Sequence, residues 1–235
     1  MRIIESEFLE LKRKVMDMAE LVESQLEICS EVLETFNTEK AQIIRKKEKK
    51  VDKLDIKIDK RCERIIALYQ PVANDLRYVF SVLRINMNLE LIGDNINGIA
   101  RKIMELHAPI PSDIMLTLEL PKMILLTQQI LADAMRAFLK EDIALSRAVF
   151  IEDDAIDQIN RNAFFILTDE IRKNPEKTAD MIQLLLMIKH LEKIADACVG
   201  ICEEVLYFKE GVVYRHHDHS AESTELAEEN PNLQA

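Results

Sequence analysis

Residues 89–99 read LELIGDNINGI and residues 191–201 read LEKIADACVGI; at an offset of 102 they share Leu, Glu, Ile, Asp, Gly and Ile. Residues 48–54, EKKVDKL, align with 153–159, DDAIDQI, at an offset of 105, sharing an acid, a β-branched aliphatic, Asp and an aliphatic. Two nearly equal offsets, met in the same order along the chain, describe a duplicated unit. The reading of these segments as helix or strand therefore decides the fold of both halves.

The periodicity is helical almost throughout, so the breaks carry the organisation. Asn37-Thr38, Gln70-Pro71, Pro109 to Asp113, Glu141-Asp142 and Asn174-Pro175 interrupt helices expected at 3–36, 39–69, 73–107, 113–140, 142–172 and 175–210. Asn174 is expected to cap the last of these, with Pro175 at its first position. Pro121 should kink the fourth helix or mark its true start. Long helices with short connections favour antiparallel bundles. The expected fold is all-α: tandem duplicated three-helix bundles, with repeats at 1–108 and 109–211 and a polar, acidic tail at 212–235 that reads as frayed or disordered. The HHDH cluster at 216–219 is either a metal ligand set or part of a solvated tail.

Composition agrees and excludes several functions. Charged residues make up 31%, with 4 Gly, 6 Pro and no Trp, a helix-forming usage. Lys and Arg number 31 against 42 Asp and Glu, and the resulting charge of −11 argues against nucleic acid as a partner. The N-terminus, MRIIESEFLELKRK, lacks a signal-peptide core, and no apolar run is long enough to span a bilayer, so the expected location is cytoplasmic. Cys29, Cys62, Cys198 and Cys202 have no zinc-ribbon spacing and read as reduced core residues.

Carboxylates interrupt this helical pattern. Leu76, Phe80, Leu83, Met87, Glu90 and Asp94 step by four, three, four, three and four, so the two acids continue what reads as an apolar stripe. In the second half Met181, Leu185, Ile188, Glu192, Asp196 and Val199 step by four, three, four, four and three, again with the acids on the stripe. Glu48 with Asp52 and Asp153 with Asp157 complete four acid-x-x-x-Asp motifs, each pairing carboxylates one turn apart. Adjacent ionised carboxylates removed from water need a compensating cation. Arg45, Lys46, Lys102 and Lys193 could supply it, as could exposure at a bundle edge, but a fourfold repeat favours metal ions. With no His or Cys in register, the donors are hard oxygens suited to magnesium, calcium, manganese or ferric iron. Glu-x-x-His, used by di-iron bundles, is absent.

QPVANDLR (70–77) followed by LELIGDNINGIA (89–100), with a second, degenerate copy in the C-terminal half, resembles the PhoU family of phosphate-signalling proteins over about residues 5–210. The resemblance implies tandem three-helix bundles and metal sites at Glu48, Asp52, Glu90 and Asp94 and at Asp153, Asp157, Glu192 and Asp196. Iron is the foremost metal it implies, in multinuclear clusters, one per repeat; manganese, magnesium or zinc are the alternatives. It further implies a negative regulator of phosphate uptake and starvation signalling; the residues themselves offer no Gly-rich phosphate cradle and no recognisable nucleophile and base, so no catalytic or organic-cofactor residue is expected. The implied partners are a phosphate ABC transporter and a sensor histidine kinase, with a homo-oligomer as a further option and a peripheral position at the inner face of the membrane through those partners.

The chain departs from the family pattern where a common Arg, His and Asn become Leu91, Asn95 and Gly98, and in the second copy Lys193, Ala197 and Gly200. The residues alone leave two other readings open: a metal-cluster enzyme of redox or hydrolytic type, and a plain helical scaffold.

Overall fold

The computed structural model describes residues 3–214, which form α1 (Ile3–Thr35), α2 (Thr38–Tyr69), α3 (Asn74–Glu105), α4 (Ser112–Thr117), α5 (Leu120–Lys140), α6 (Ile143–Lys173) and α7 (Thr178–Glu210), with a 3₁₀ turn at Pro175–Lys177 before α7. All regular structure among the described residues is helical, as the periodicity predicts. α1, α2 and α3 pack on one another, as do α5, α6 and α7, and the longest seam joins α3 to α7.

Local chemistry explains three helix ends. The side chain of Asn37 accepts hydrogen bonds from the amides of Glu39 and Lys40 at 3.1 and 3.2 Å, capping α2. Asp142 does the same for α6 through the amide of Leu145 at 3.0 Å. Gly211 closes α7 in the left-handed region at φ 77, the conformation that glycine adopts most cheaply.

Two boundaries differ from the sequence reading. The fourth predicted helix is broken at Glu119, which takes φ 51; α4 ends at Thr117 and α5 starts at Leu120, with Pro121 in its first turn. Pro121 thus marks a start, the second of its two expected roles. Asn174 does not cap α7. Its side-chain amide donates to Glu170 Oε1 at 2.6 Å, back along α6, while Pro175 opens the 3₁₀ turn.

The buried apolar residues of both halves form one continuous core. Phe8 of α1, Tyr78 of α3, Phe138 of α5 and Phe208 of α7 tie four helices together, with ring centroids 5.5, 6.5 and 5.4 Å from that of Tyr78. The four cysteines are free and buried within the core. Tyr214, beyond α7, returns to α6, where Arg147 donates to its hydroxyl at 3.3 Å. The HHDH segment and the rest of the expected tail from residue 215 lie outside the described residues.

The acid-bearing stripe on α3 is not its core face. Phe80 and Met87 are 43% and 65% exposed, whereas Val79, Val82, Ile85, Leu89, Ile92, Ile96, Ile99 and Ile103 are buried. The carboxylates therefore lie at the border between core and solvent. This lowers the desolvation cost relative to a true core position and leaves the groups reachable.

Candidate metal centres

The second half gathers its acids more tightly. Asp153 and Asp157 on α6 and Asp196 on α7 each place a carboxylate oxygen within 4.8 Å of the others, the one such trio of possible ligands among the described residues. Asp153 is partly buried and its Oδ1 has no hydrogen-bond partner. Burial, then the charges of Asp196 and Asp157, push its carboxyl up to about 7. Burial, then Glu192 and Asp157, push Asp196 up to about 6. Glu192, the fourth expected ligand, is turned aside: Asn160 Nδ2 donates to its Oε1 at 3.1 Å and Lys189 Nζ lies 3.6 Å away.

In the first half, Glu48 is the deepest member, 6% exposed. Gln25 on α1 donates to its Oε2 at 2.8 Å, and its Oε1 has no partner. Burial pushes its carboxyl up to about 7 against the effect of the Gln25 bond, with Asp94, Asp52 and Glu90 adding repulsion. Burial, followed by Asp94, also raises Glu90. Glu48, Asp52 and Asp94 line a groove of about 480 Å³ that Arg45, Lys46 and Lys49 also line. The structure thus brings three of the four acids to one groove, with Glu90 outside its lining but near enough to feel the charges of Asp94 and Asp52, and it does not draw three oxygens as close as in the second half.

The cationic side chains that sequence proximity nominated form no ion pair with these acids, although the charge of Lys193 acts on Asp196 from beyond ion-pair distance. Lys102 pairs with Glu105 at 3.0 Å, and among the described residues Arg45, Lys46 and Lys193 make no ion pair. Only Asp157, with Arg161 at 2.9 Å, and Glu192, with Lys189, have a cationic partner within ion-pair distance. Glu48, Asp52, Glu90, Asp94, Asp153 and Asp196 have none. Carboxylates that repel one another, are partly desolvated and have a free inward oxygen suit a hard cation.

The register of the repeats extends to packing. Gly93 lets Glu48 in: a β-carbon there would lie 3.1 Å from Glu48 Oε2 and 3.3 Å from Val51 Cγ1. At the corresponding positions the second half carries Ala195 and the shorter Asp153, so the larger helix residue is matched by the smaller acid. Between α3 and α7 the repeats meet reciprocally. Gly98 makes room for the ring of His190, and Gly200 for the amide of Asn88. Both pairs obey the offset of 102.

Several site residues escape the sequence pattern. Gln25 carries no local signal, since it reaches Glu48 from another helix. Asn160 has one: it continues Asp153 and Asp157 by a step of three, as Asp55 continues Glu48 and Asp52, and Asp55 accepts from Asn86 Nδ2 at 2.6 Å. Asn95 donates to Leu91 O at 2.7 Å and meets His190 Nδ1 at 2.8 Å through its Oδ1.

Comparison with known proteins places this arrangement. The PhoU domain family matches twice, at residues 15–103 and 120–205. The chain is 32% identical to the phosphate-specific transport system accessory protein PhoU homolog 1 of Thermotoga maritima, over 88% of this chain and 89% of that one. It is 29% identical to the phosphate-specific transport system accessory protein PhoU of Escherichia coli, over 88% and 85%. The crystal structure of PhoU from Pseudomonas aeruginosa superposes with a TM-score of 0.82 at 25% identity, covering 88% of this chain and 99% of the other. The phosphate transport system regulatory protein PhoU from Streptococcus pneumoniae gives 0.78 at 25% identity, over 89% and 98%. With both repeats matched and the full bundle shared, the chain belongs to the PhoU family.

Proposed function

We propose that this protein is an accessory regulator of the phosphate-specific transport system that works through protein contacts and carries metal ions on its repeated carboxylates. The names of relatives matched over most of both chains support the first part. The convergence of Asp153, Asp157 and Asp196, with an unpartnered Asp153 oxygen among them, carries the second.

Asp153, Asp157 and Asp196 would hold an ion in the second half, with Glu192 able to join by leaving Asn160 and Lys189. Glu48, Asp52, Glu90 and Asp94 would form the matching set in the first. Oxygen-only donors suit iron, manganese or magnesium; zinc is a weaker fit because it favours nitrogen and sulfur. A bound ion would supply charge compensation and a cross-link between adjacent helices, α6 to α7 or α2 to α3. Asn160 and Gln25 hold the flanking carboxylates in orientation, the task of groups behind metal ligands.

In this reading the protein is a cytoplasmic adaptor between a phosphate ABC transporter and a sensor histidine kinase, restraining the kinase while phosphate is plentiful, and it turns over no substrate. No helix among the described residues is long and apolar enough to cross a membrane, so contact with the transporter would be peripheral. Deleting the gene should raise phosphate-starvation transcripts in phosphate-rich medium. Unchanged transcripts, with no paralogue present, would reject the regulatory role; phosphatase or ferroxidase turnover lost in Asp153→Asn would favour an enzyme instead.

A further inference from the structure

α2 is a basic helix in an acidic protein. It carries 11 Lys and Arg against 6 Asp and Glu, where the whole chain has 31 against 42. Lys46, Lys50, Lys53, Lys57, Lys60 and Arg64 step by four, three, four, three and four, and all are exposed. At 3.6 residues per turn they fall within about 80° of arc and form a straight line roughly 27 Å long. Ala41, Ile44, Val51, Ile58, Cys62 and Ile65 bury the opposite face, so the line points outward.

These six cations have nothing to hold, as do scattered others such as Arg45 and Lys193, but these six stand together in one row. Elsewhere Lys12, Arg13, Lys122, Arg136, Arg147, Arg161, Lys173 and Lys209 each pair with an acid. Among the described residues none of the six on the α2 line makes an ion pair or hydrogen bond. Ile43 and Ile56 flank the line on either side and are 42% and 51% exposed. A continuous row of unpaired positive charge is electrostatically unfavourable until an anionic surface meets it.

We infer that the outer face of α2 is a docking surface for an anionic phospholipid bilayer. Five of the six cations are Lys, compact charges on flexible stems that suit diffuse attraction to headgroups, rather than the planar Arg fork suited to individual carboxylates or phosphodiesters. The row is straight and lies on a convex helix surface, which fits a plane better than the groove of a duplex. The two isoleucines add apolar contact at the depth where an interfacial helix inserts its side chains. The inference does not depend on the metal or phosphate readings. It would place the protein at the membrane directly, with the carboxylate groove between α2 and α3 beside the docked face.

Co-sedimentation of the full chain with phosphatidylcholine vesicles, with and without about a third phosphatidylglycerol, tests it. Binding should require the anionic lipid and fall at least tenfold at roughly 0.5 M salt, where screening shortens to a few ångströms. The variant K50Q/K53Q/K57Q/K60Q should lose about tenfold or more, while K122Q/K140Q/R172Q/K173Q, with the same change in net charge, should bind like the parent. Equal binding to neutral vesicles, equal loss in both variants, or retention on polyglutamate or duplex DNA without vesicle binding would overturn the inference. The salt series on the unmodified chain decides the matter even if the quadruple variant folds poorly.

Discussion

The ring of His190, on α7, lies against Gly98 of α3 so closely that a β-carbon at residue 98 would come within 2.6 Å of the imidazole Cε1. The same ring meets Asn95 Oδ1 at 2.8 Å, so it cannot withdraw without losing that bond. Gly98→Ala should therefore destabilise the protein by about 1–3 kcal/mol despite the better helix propensity of alanine. Thermal unfolding of G98A, H190A and the double variant gives the check: the double should be less destabilised than the sum of the singles. Gly200→Ala should cost less, because the Asn88 amide it would meet at 2.9 Å is the far end of a side chain.

The match between Gly93 with Glu48 and Ala195 with Asp153 gives a sharper expectation. Gly93→Ala alone crowds a buried carboxylate and should lower stability by roughly 1–2 kcal/mol. Adding Glu48→Asp copies the arrangement of the second half and should recover part of the loss. Chemical denaturation of the three proteins measures it, and a double variant weaker than both singles would show that the repeats do not pack equivalently.

The metal-free protein should lose stability as pH rises from about 4.5 to 7. Glu48 and Asp153 both titrate near 7 in the fold, above their ordinary values, because burial disfavours their charged forms. Over that interval the folded state keeps protons that the unfolded chain has released, so stability declines with pH, and the penalty is complete above about 7. Each group contributes on the order of 1–3 kcal/mol. Melting curves of chelator-treated protein at pH 5 and pH 8 should show the difference, and Glu48→Gln should reduce it. With metal bound the trend should weaken or reverse, because ligation needs the ionised carboxylates.

Tail and bundle can be separated. A chain ending at Tyr214 lacks the HHDH cluster at 216–219 but keeps every carboxylate of the two motif sets. Its melting temperature should respond to added manganese or iron as that of the full chain does; a response lost on truncation would move the metal site to the tail.

Much of this was legible in the sequence because a long helix leaves a strong period and a repeat supplies an internal control. The offsets of 102 and 105 locate the carboxylates of both halves, and Asn37 and Asp142 signal the starts of α2 and α6 by the chemistry of their side chains. Other features were not legible because tertiary contact decides them. Phe80 and Met87 share a helical face with Glu90 and Asp94, yet α3 buries a neighbouring face rich in isoleucine against α1, α2 and α7, so two plausible apolar faces competed. Phe36, Gln70, Glu119 and Glu141 adopt positive φ at helix ends without being glycine, which removed the usual punctuation. Gln25 reaches Glu48 across 23 residues, beyond any local pattern.

The central claim is that the repeated carboxylates bind metal at Asp153, Asp157 and Asp196. Elemental analysis of tag-free protein ending at Tyr214, beside its D153N/D157N/D196N variant, tests it most directly once circular dichroism shows that both are folded. The expected result is iron or manganese in stoichiometric amount in the parent and a clear fall in the variant, with any remainder assigned to Glu48, Asp52, Glu90 and Asp94. A parent free of transition metal even after incubation with excess iron or manganese, or a variant that retains the full amount, would contradict it.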